Sequence, residues 1–314
     1  MTQRVVHSAI SMISVFLMAT LFANPAHATL RIFACEPEWA ALAEQLGGDQ
    51  VRVFTATTAF QDPHHIEARP SLIAKARRAS MLICTGAELE IGWLPLLLRQ
   101  SGNADIQPGQ PGHFLAAEQV ERLEVLENVD RSAGDVHAAG NPHVHLDPYR
   151  LLRIAEALTE RLSEVDPSQT HVYRSNFATF KQRWQEAIHG WESMATALKG
   201  SRVVVHHSNF TYLLDWLGIE AVADLEPKPG LPPTTAHLVG VQATVKAERP
   251  WAILLATYHD DKPARWLADR GSLPLVRLPF TVGGNDGAKD LLSLYQTTVS
   301  LLLEAQSPIG QTND

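Results

Sequence analysis

In the middle of this 314-residue chain, residues 168–198 read SQTHVYRSNFATFKQRWQEAIHGWESMATAL. The large apolar side chains of this segment recur every three or four positions from Tyr173 to Leu198, which is the spacing of one face of an α-helix. Asp166-Pro167-Ser168 supplies a helix start and Gly200 a stop. At ~1.5 Å per residue such a helix would be about 45 Å long, the diameter of a domain or more. The sequence therefore predicts a long helix that joins two lobes, in preference to an ordinary core helix.

Short apolar runs alternate with helical patterns on both sides of this helix, which is typical of βαβ units and parallel sheets and therefore of the α/β class. The predicted strands are Leu30–Ala34, Val51–Thr55, Ser80–Cys84, Ser201–Val205, Ile219–Ala223, Trp251–Ala256 and Pro274–Leu278. The predicted helices besides the long one are Glu38–Leu46, Pro70–Arg78, Pro148–Ser163, Asn209–Leu217, Thr235–Ala247, Lys262–Arg270 and Lys289–Glu304. Residues 101–140 are rich in Gly, Pro, Asp and Asn, and we expect mostly loop there with one strand near Leu123–Leu126.

Histidines stand at three separated places where a predicted strand ends or a proline makes a turn. His64 follows Pro63 and His143 follows Pro142, while His207 follows the apolar run Val203–Val205. Proline restricts its own backbone and that of the residue before it, and ligands bind at the carboxyl ends of strands in open α/β sheets. Histidine is the commonest metal ligand among side chains. A lone histidine in such a place is more often a structural hydrogen-bonding group, and the spacing alone leaves both interpretations open.

The N-terminus has the features of a secretory signal. Arg4 gives a positive start, Ala9–Phe22 is apolar, and Ala26-His27-Ala28 fits a cleavage site. The apolar run is too short for a membrane anchor. We therefore expect export to the periplasm with cleavage after Ala28 and no membrane insertion of the mature chain. A lipoprotein anchored at Cys35 fits the flanking residues badly.

Charge and cysteine content narrow the class of protein further. The chain holds 34 acidic and 26 basic residues without a basic stripe, which argues against nucleic acid as a partner. Cys35 and Cys84, the only two cysteines, each end a strand-like run. The two cysteines are too few for a disulfide scaffold or a cysteine-rich zinc site. A disulfide between them and a pair of buried free thiols are equally good interpretations.

The ordered set of motifs resembles the zinc- and manganese-type substrate-binding proteins of bacterial ABC importers. The matching stretches cover the whole mature chain; they are Gln61–His64 with Glu67 and Pro70-Ser71, Pro142–Pro148, His207–Tyr212, Glu226–Pro233 and Val282–Gly284. The resemblance implies two βα lobes with parallel sheets, joined by one long rigid helix, with one metal in the cleft between the lobes. We accordingly expect a signal peptide over residues 1–28, an N-terminal metal-binding lobe over 29–165, the linking helix over 166–198 and a C-terminal metal-binding lobe over 199–314.

Carried over residue by residue, the resemblance implies His64, His143 and His207 as metal ligands. Relatives often add a carboxylate near the start of the last helix, and here Asp290 is favoured over Asp286 or a water. An N-terminal helix carboxylate also stabilises the helix dipole, so Asp290 has a structural interpretation too. The adjacent His65, His145 and His206 are expected to form hydrogen bonds or line the cleft. His137 and His259 are expected at the surface, with a transient role in metal capture as the alternative.

The predicted function is that of a zinc receptor. Three imidazoles with at most one carboxylate favour Zn(II) over Mn(II). The resemblance implies a non-enzymatic, monomeric protein that passes the metal to a membrane permease. A manganese receptor of the same fold, an adhesin-like surface protein and a secreted zinc hydrolase are the alternatives, since three histidines and an open position also describe catalytic zinc. A hydrolase needs a general base; the sequence lacks H-E-x-x-H and nucleophile-elbow motifs and offers only Glu67 and Glu226.

Overall fold

Two four-stranded parallel sheets with helices form the framework of this computed structural model, which describes residues 29–126, 137–228 and 230–306. The predicted signal peptide lies outside the described residues. The first sheet has the order β2-β1-β3-β4, with β1 Leu30–Ala34, β2 Val51–Thr55, β3 Met81–Cys84 and β4 His113–Leu115. The second has the order β6-β5-β7-β8, with β5 Arg202–Val205, β6 Glu220–Asp224, β7 Ala252–Ala256 and β8 Leu275–Leu278. The predicted α/β class with two parallel sheets is therefore confirmed.

The α-helices alternate with these strands as the sequence pattern predicts. They are α1 Pro37–Gly47, α2 Pro70–Ala76, α3 Leu94–Ser101, α4 Pro148–Val165, α5 Thr170–Ala195, α6 Thr211–Leu217, α7 Thr235–Glu248, α8 Lys262–Gly271 and α9 Leu291–Gln306. Prolines in the first turn begin α1, α2, α3, α4 and α8, where proline's missing N–H costs nothing and its fixed φ suits a helix. No helix of the described residues is long and apolar enough to cross a membrane.

The predicted long helix is α5, which has 26 residues and is extended by short 3-10 turns at Pro167–Gln169 and Thr196–Leu198. It packs against α1 and α4 in the first half of the chain and against α9 in the second. Trp184 and Trp191 on its buried face both contact the ring of Tyr295 in α9. Because one helix carries the packing of both halves, their relative position is fixed by a continuous apolar core.

The region between β3 and α4 differs from the prediction. The strand expected at Leu123–Leu126 is wrong, because the chain forms bends there and Val125 and Leu126 are 60% and 45% exposed. The fourth strand instead lies at His113–Leu115, where only Phe114 is buried. Helix α3 was also missing from the prediction, because its eight residues, with Pro95 in second place, carry too short an apolar pattern.

A disulfide joins Cys35, directly after β1, to Cys84 at the end of β3. The strands are parallel neighbours in register Ala34 to Ile83, which brings the two Cα atoms to 4.8 Å, a usual separation for a disulfide. The structure therefore forms the bond, and not the two free thiols of the alternative interpretation. The bond lies at the carboxyl end of the sheet, the end from which the loops with the predicted site residues emerge.

Candidate metal centre

Three of the predicted site residues come together between the two sheets. His64, His143 and His207 each offer one ring nitrogen, and these three nitrogens lie within 4.8 Å of one another. The three ring centroids are 5.8 to 6.0 Å apart. His64 comes from the loop after β2, His143 from the segment before α4, and His207 from the end of β5. Residues from three distant parts of the sequence thus form one cluster of imidazoles.

His64 is held by the aspartate two residues before it. Oδ1 of Asp62 accepts hydrogen bonds from the backbone N–H of His64 at 3.0 Å and from its Nδ1 at 2.7 Å. Burial alone would raise the pKa of Asp62, but the bonds and charge of His64 lower it to about 2. The buried Pro63 lies between them, and its carbonyl accepts a hydrogen bond from the Trp93 indole. The turn therefore fixes the ring and directs Nε2 of His64 away from Asp62, as the carboxylate partners of metal-bound histidines do.

His207 has a carboxylate partner of the same kind. Its Nδ1 lies 2.9 Å from Oε2 of Glu226, which also accepts the backbone N–H of Gly230 at 2.7 Å. Burial would lower the pKa of His207, but the hydrogen bond and charge of Glu226 outweigh it, so the pKa is raised above 6.5. Glu226 thus directs Nε2 of His207 away from itself, as the carboxylate partners of metal-bound histidines do.

His143 is the most deeply buried of the three, with 1% of its surface exposed. Asn141 accepts its backbone N–H at 3.0 Å and donates to the carbonyl of Ser208 at 2.8 Å, so the turn is tied to the segment that carries His207. Burial, followed by repulsion from His64 and His207, lowers the pKa of His143 well below 6.5. Its Nδ1 has no hydrogen-bond partner among the described residues. A neutral, unpaired imidazole in such a place suits metal coordination.

His137 was expected at the surface, and that expectation is wrong. Its Nε2 lies 3.1 Å from Nε2 of His64, and the two rings are stacked with centroids 5.2 Å apart. Its ring centroid is 6.4 Å from that of His143. Burial, then the charge of His64, lowers its pKa to about 3. The only signal in the sequence was a lone histidine in a Gly- and Asp-rich stretch ahead of His143.

The two candidate carboxylates lie elsewhere. Asp290 is exposed and caps α9, with its Oδ1 accepting the backbone N–H and the hydroxyl of Ser293 at 2.7 Å each. It lines a surface groove with α1 residues such as Ala40 and Glu44. Asp286 is also exposed, in the loop before α9. Within the described part of the chain, the group of converging ligand atoms contains histidines and neither aspartate.

The histidines next to the candidate ligands contact other groups. His145 is buried, with Nε2 2.9 Å from the Phe280 carbonyl and Nδ1 3.3 Å from Oε1 of Glu38. His206 is buried and stacks on His259 at 4.3 Å, so His259 is only partly exposed, contrary to the surface position expected for it. Burial and the nearby His206 lower the pKa of His259 to about 2. His65 is exposed.

Comparison with known proteins finds a zinc-uptake family model and metal-binding relatives. A family model described as "Zinc-uptake complex component A periplasmic" matches residues 32–305. The zinc-binding lipoprotein AdcA of Streptococcus pneumoniae is 24% identical over 240 residues, which are 76% of this chain and 47% of that protein. The manganese ABC transporter substrate-binding lipoprotein PsaA of the same species is 19% identical over 259 residues, 80% of each chain. This chain thus spans about half the length of the first curated relatives that it matches.

Solved structures share the fold. A crystal structure of ZnuA superposes with a TM-score of 0.74 at 21% identity and covers 89% of this chain and all of that one. The Mn-bound periplasmic metal-binding protein of Candidatus Liberibacter asiaticus gives a TM-score of 0.73 at 15% identity, covering 88% and 99%. At these identities the likeness supports the two-sheet architecture, and the choice of metal depends on the residues of this chain.

Proposed function

The chain belongs to the family of periplasmic zinc-uptake components, and from this membership we propose that it is a periplasmic receptor that binds Zn(II) and delivers it to the membrane permease of an ABC importer. The observation that carries the proposal is the convergence of His64, His143 and His207 within 4.8 Å. The proposed domains follow the sequence, with lobes over residues 29–165 and 199–314 on either side of the linking helix at 166–198. We propose a monomer whose signal peptide is removed after Ala28.

The donor set supports zinc as the cargo. Imidazole nitrogens suit zinc, whereas manganese prefers carboxylate and carbonyl oxygens. The carboxylates of Asp62 and Glu226 accept hydrogen bonds from the rings of His64 and His207. Asp290, the carboxylate expected as fourth ligand, caps a helix. A manganese receptor remains the alternative for which relatives exist, and it would need oxygen ligands that these side chains do not offer in this arrangement.

The position of the histidines supports reversible metal binding and not a catalysed reaction. His64 belongs to the first lobe and His207 to the second, so a metal bound to both bridges the cleft. The lobes are already connected below the site, because Thr281 donates a 2.6 Å hydrogen bond to Glu38 and Tyr295 donates to the His145 carbonyl at 2.5 Å. With α5 packed against both halves, zinc binding should move loops more than whole lobes.

The hydrolase alternative requires a general base beside a metal-bound water. Of its two candidates, Glu226 is occupied by His207 and Gly230, and Glu67 is exposed. Neither has the position of a free carboxylate directed into the cluster. The family itself is a transport component, which also favours a receptor over an enzyme.

Metal analysis of the protein purified from the periplasm without a histidine tag tests the proposal. We expect about one zinc per chain, and a rise in melting temperature when buffered zinc is returned to chelator-stripped protein. At a free concentration of ~1,000 times Kd the stabilisation would be about 4 kcal/mol. His64→Ala should abolish the rise, whereas His65→Ala, which alters the exposed neighbour, should retain it. No rise in the parent protein would contradict zinc binding, and tighter binding of manganese than zinc would favour the alternative receptor.

A further inference from the structure

His64 and His137 approach each other in a way that a simple hydrogen bond between neutral rings does not explain. Nδ1 of His64 donates to Asp62 Oδ1, which is an acceptor because it also receives the His64 backbone N–H. Against the larger effect of burial, the Ala87 backbone raises the pKa of His137. Since Nε2 of His137 faces His64, Nδ1 is the ring nitrogen left to interact with Ala87. In neutral rings both Nε2 atoms would then carry lone pairs, 3.1 Å apart.

Two lone pairs at this distance repel each other unless a cation lies between them, either a proton or a metal ion. For a tetrahedral zinc with Zn–N distances of ~2.0–2.1 Å, neighbouring nitrogens are about 3.3 Å apart. The observed separation of 3.1 Å therefore matches one edge of a zinc tetrahedron. The converging ligand atoms belong to His64, His143 and His207, and His137 joins this group through its contact with His64.

We propose that His137 is the fourth zinc ligand, which closes the site over His64, His143 and His207. The proposal rests on the zinc-receptor function above and names the ligand that the sequence left open among Asp290, Asp286 and water. It makes the site one of four nitrogens. His137 would thereby take the place that a carboxylate holds in the expected ligand set, and zinc would be bound without an oxygen donor from this chain.

A turn in the first lobe presents His137 to the cluster. Gly86, Ala87 and Glu88 all have positive φ, at 78°, 47° and 69°. This conformation is unfavourable for the two non-glycine residues and persists only where surrounding contacts impose it. In this turn, Glu88 Oε2 accepts the backbone N–H of Ala138 at 2.8 Å, and the backbone of Ala87 interacts with the His137 ring. Glu88 is therefore a positioning residue for the fourth ligand.

The turn is fixed to the rigid sheet below it. The buried carboxylate of Glu90 accepts the backbone N–H groups of Thr85 at 2.7 Å and Gly86 at 3.0 Å. Thr85 directly follows Cys84, which the disulfide ties to Cys35, and its hydroxyl accepts the indole N–H of Trp39 at 2.8 Å. The contacts from the sheet to His137 are thus continuous, so the ligand position is defined by the fold and not by its loop alone.

Zinc K-edge absorption spectroscopy and chelator competition on the full chain test the proposal. The parent should show four imidazoles on zinc and His137→Ala three, with an affinity at least about ten-fold lower. His65→Ala, which removes an exposed neighbouring imidazole, should change neither quantity. Four imidazoles in His137→Ala, or an unchanged affinity, would overturn the proposal. If instead the parent bound no zinc, or His64→Ala bound it like the parent, the zinc-receptor function itself would be wrong.

A double-mutant cycle tests the positioning role of Glu88. Glu88→Ala should weaken zinc binding in the parent but change it little in the His137→Ala background, because the ligand that it positions is already absent. Glu118→Ala, which alters an exposed glutamate with no such contact, serves as the control. Equal losses in both backgrounds would show that Glu88 acts on general stability and would overturn the positioning role.

Discussion

Oε2 of Glu226 lies 2.9 Å from Nδ1 of His207, and both groups are largely buried between the second sheet and the cleft. The pair has two consequences. It holds the imidazole in one orientation, with Nε2 toward His64 and His143. It also raises the pKa of His207 above the ordinary value of 6.5, against the effect of burial. The cluster therefore combines one imidazole whose pKa is raised with two, His137 and His143, whose pKa is lowered.

This contrast predicts proton release when zinc binds. Below its raised pKa, His207 carries a proton that must leave before Nε2 can bind zinc with Nδ1 still bonded to Glu226. His143 and His137 have lowered pKa values and are neutral already. At pH 6.5 we expect a release of up to about one proton per zinc and an affinity that rises as pH increases through the pKa of His207. Calorimetry in buffers with different ionisation enthalpies measures the number of protons.

Glu226→Gln provides the matched variant for that experiment. Without the carboxylate charge, the pKa of the buried His207 should fall and the ring should be neutral at pH 6.5. The number of released protons should therefore decrease, although the affinity itself also falls. An identical release from the parent and Glu226→Gln would show that the proton comes from another group.

Asp62 should have a large effect on zinc affinity, although it does not bind the metal itself. Loss of a hydrogen-bond partner behind a metal-bound histidine typically costs 10–100-fold in affinity, so we expect Asp62→Asn to weaken zinc binding by about that factor. Glu67→Gln is the control, because this exposed acid lies in the same loop. Chelator competition gives both values. Equal affinities of the two variants would mean that the 2.7 Å contact between Asp62 and His64 does not support the ligand.

The three predicted ligand candidates that converge in the structure stand next to local features that restrict the backbone. His64 and His143 follow prolines, and His207 lies two residues after the end of β5, so the local backbone already restricts each one. His137 could not be found in this way. Its position depends on Glu88 and Ala87, about fifty residues earlier in the chain, and on a backbone conformation that no residue preference indicates. Asp290 shows the converse difficulty, because a helix-capping aspartate and a loop ligand have the same appearance in a sequence.

The parts of the fold that could be predicted are likewise those with a local signal in the sequence. Seven of the eight strands and the long helix have the apolar periodicity that burial on one or two faces imposes. Strand β4 has three residues and a single buried side chain, Phe114, so it has no pattern of its own. It forms because β3 offers a free edge, with Ile83 paired to Phe114. Such a strand is determined by its partner and not by its own sequence.

The disulfide should contribute substantially to the stability of the chain. It closes a loop of 49 residues, for which loss of chain entropy in the unfolded state predicts about 4 kcal/mol. We therefore expect the Cys35→Ala, Cys84→Ala double variant to have a free energy of unfolding lower by about 4 kcal/mol and to unfold at a lower denaturant concentration. Unfolding of the parent in the presence of a reductant is the control and should approach the variant. An unchanged midpoint in both would show that the bond adds no net stability.

Asp290 offers the clearest separation of a structural carboxylate from a ligand. Its Oδ1 accepts the backbone N–H of Ser293, whose hydroxyl in turn accepts the backbone N–H of Asp290 at 2.9 Å. Removal of such a cap typically costs ~1 kcal/mol, so Asp290→Ala should lower the free energy of unfolding by about that amount. Zinc affinity should stay at the parent value, since the carboxylate is occupied at the helix end and exposed. Denaturant unfolding and chelator competition on the same preparation measure both effects. A loss of zinc affinity of ten-fold or more, with stability unchanged, would return Asp290 to the coordination sphere and remove His137 from it.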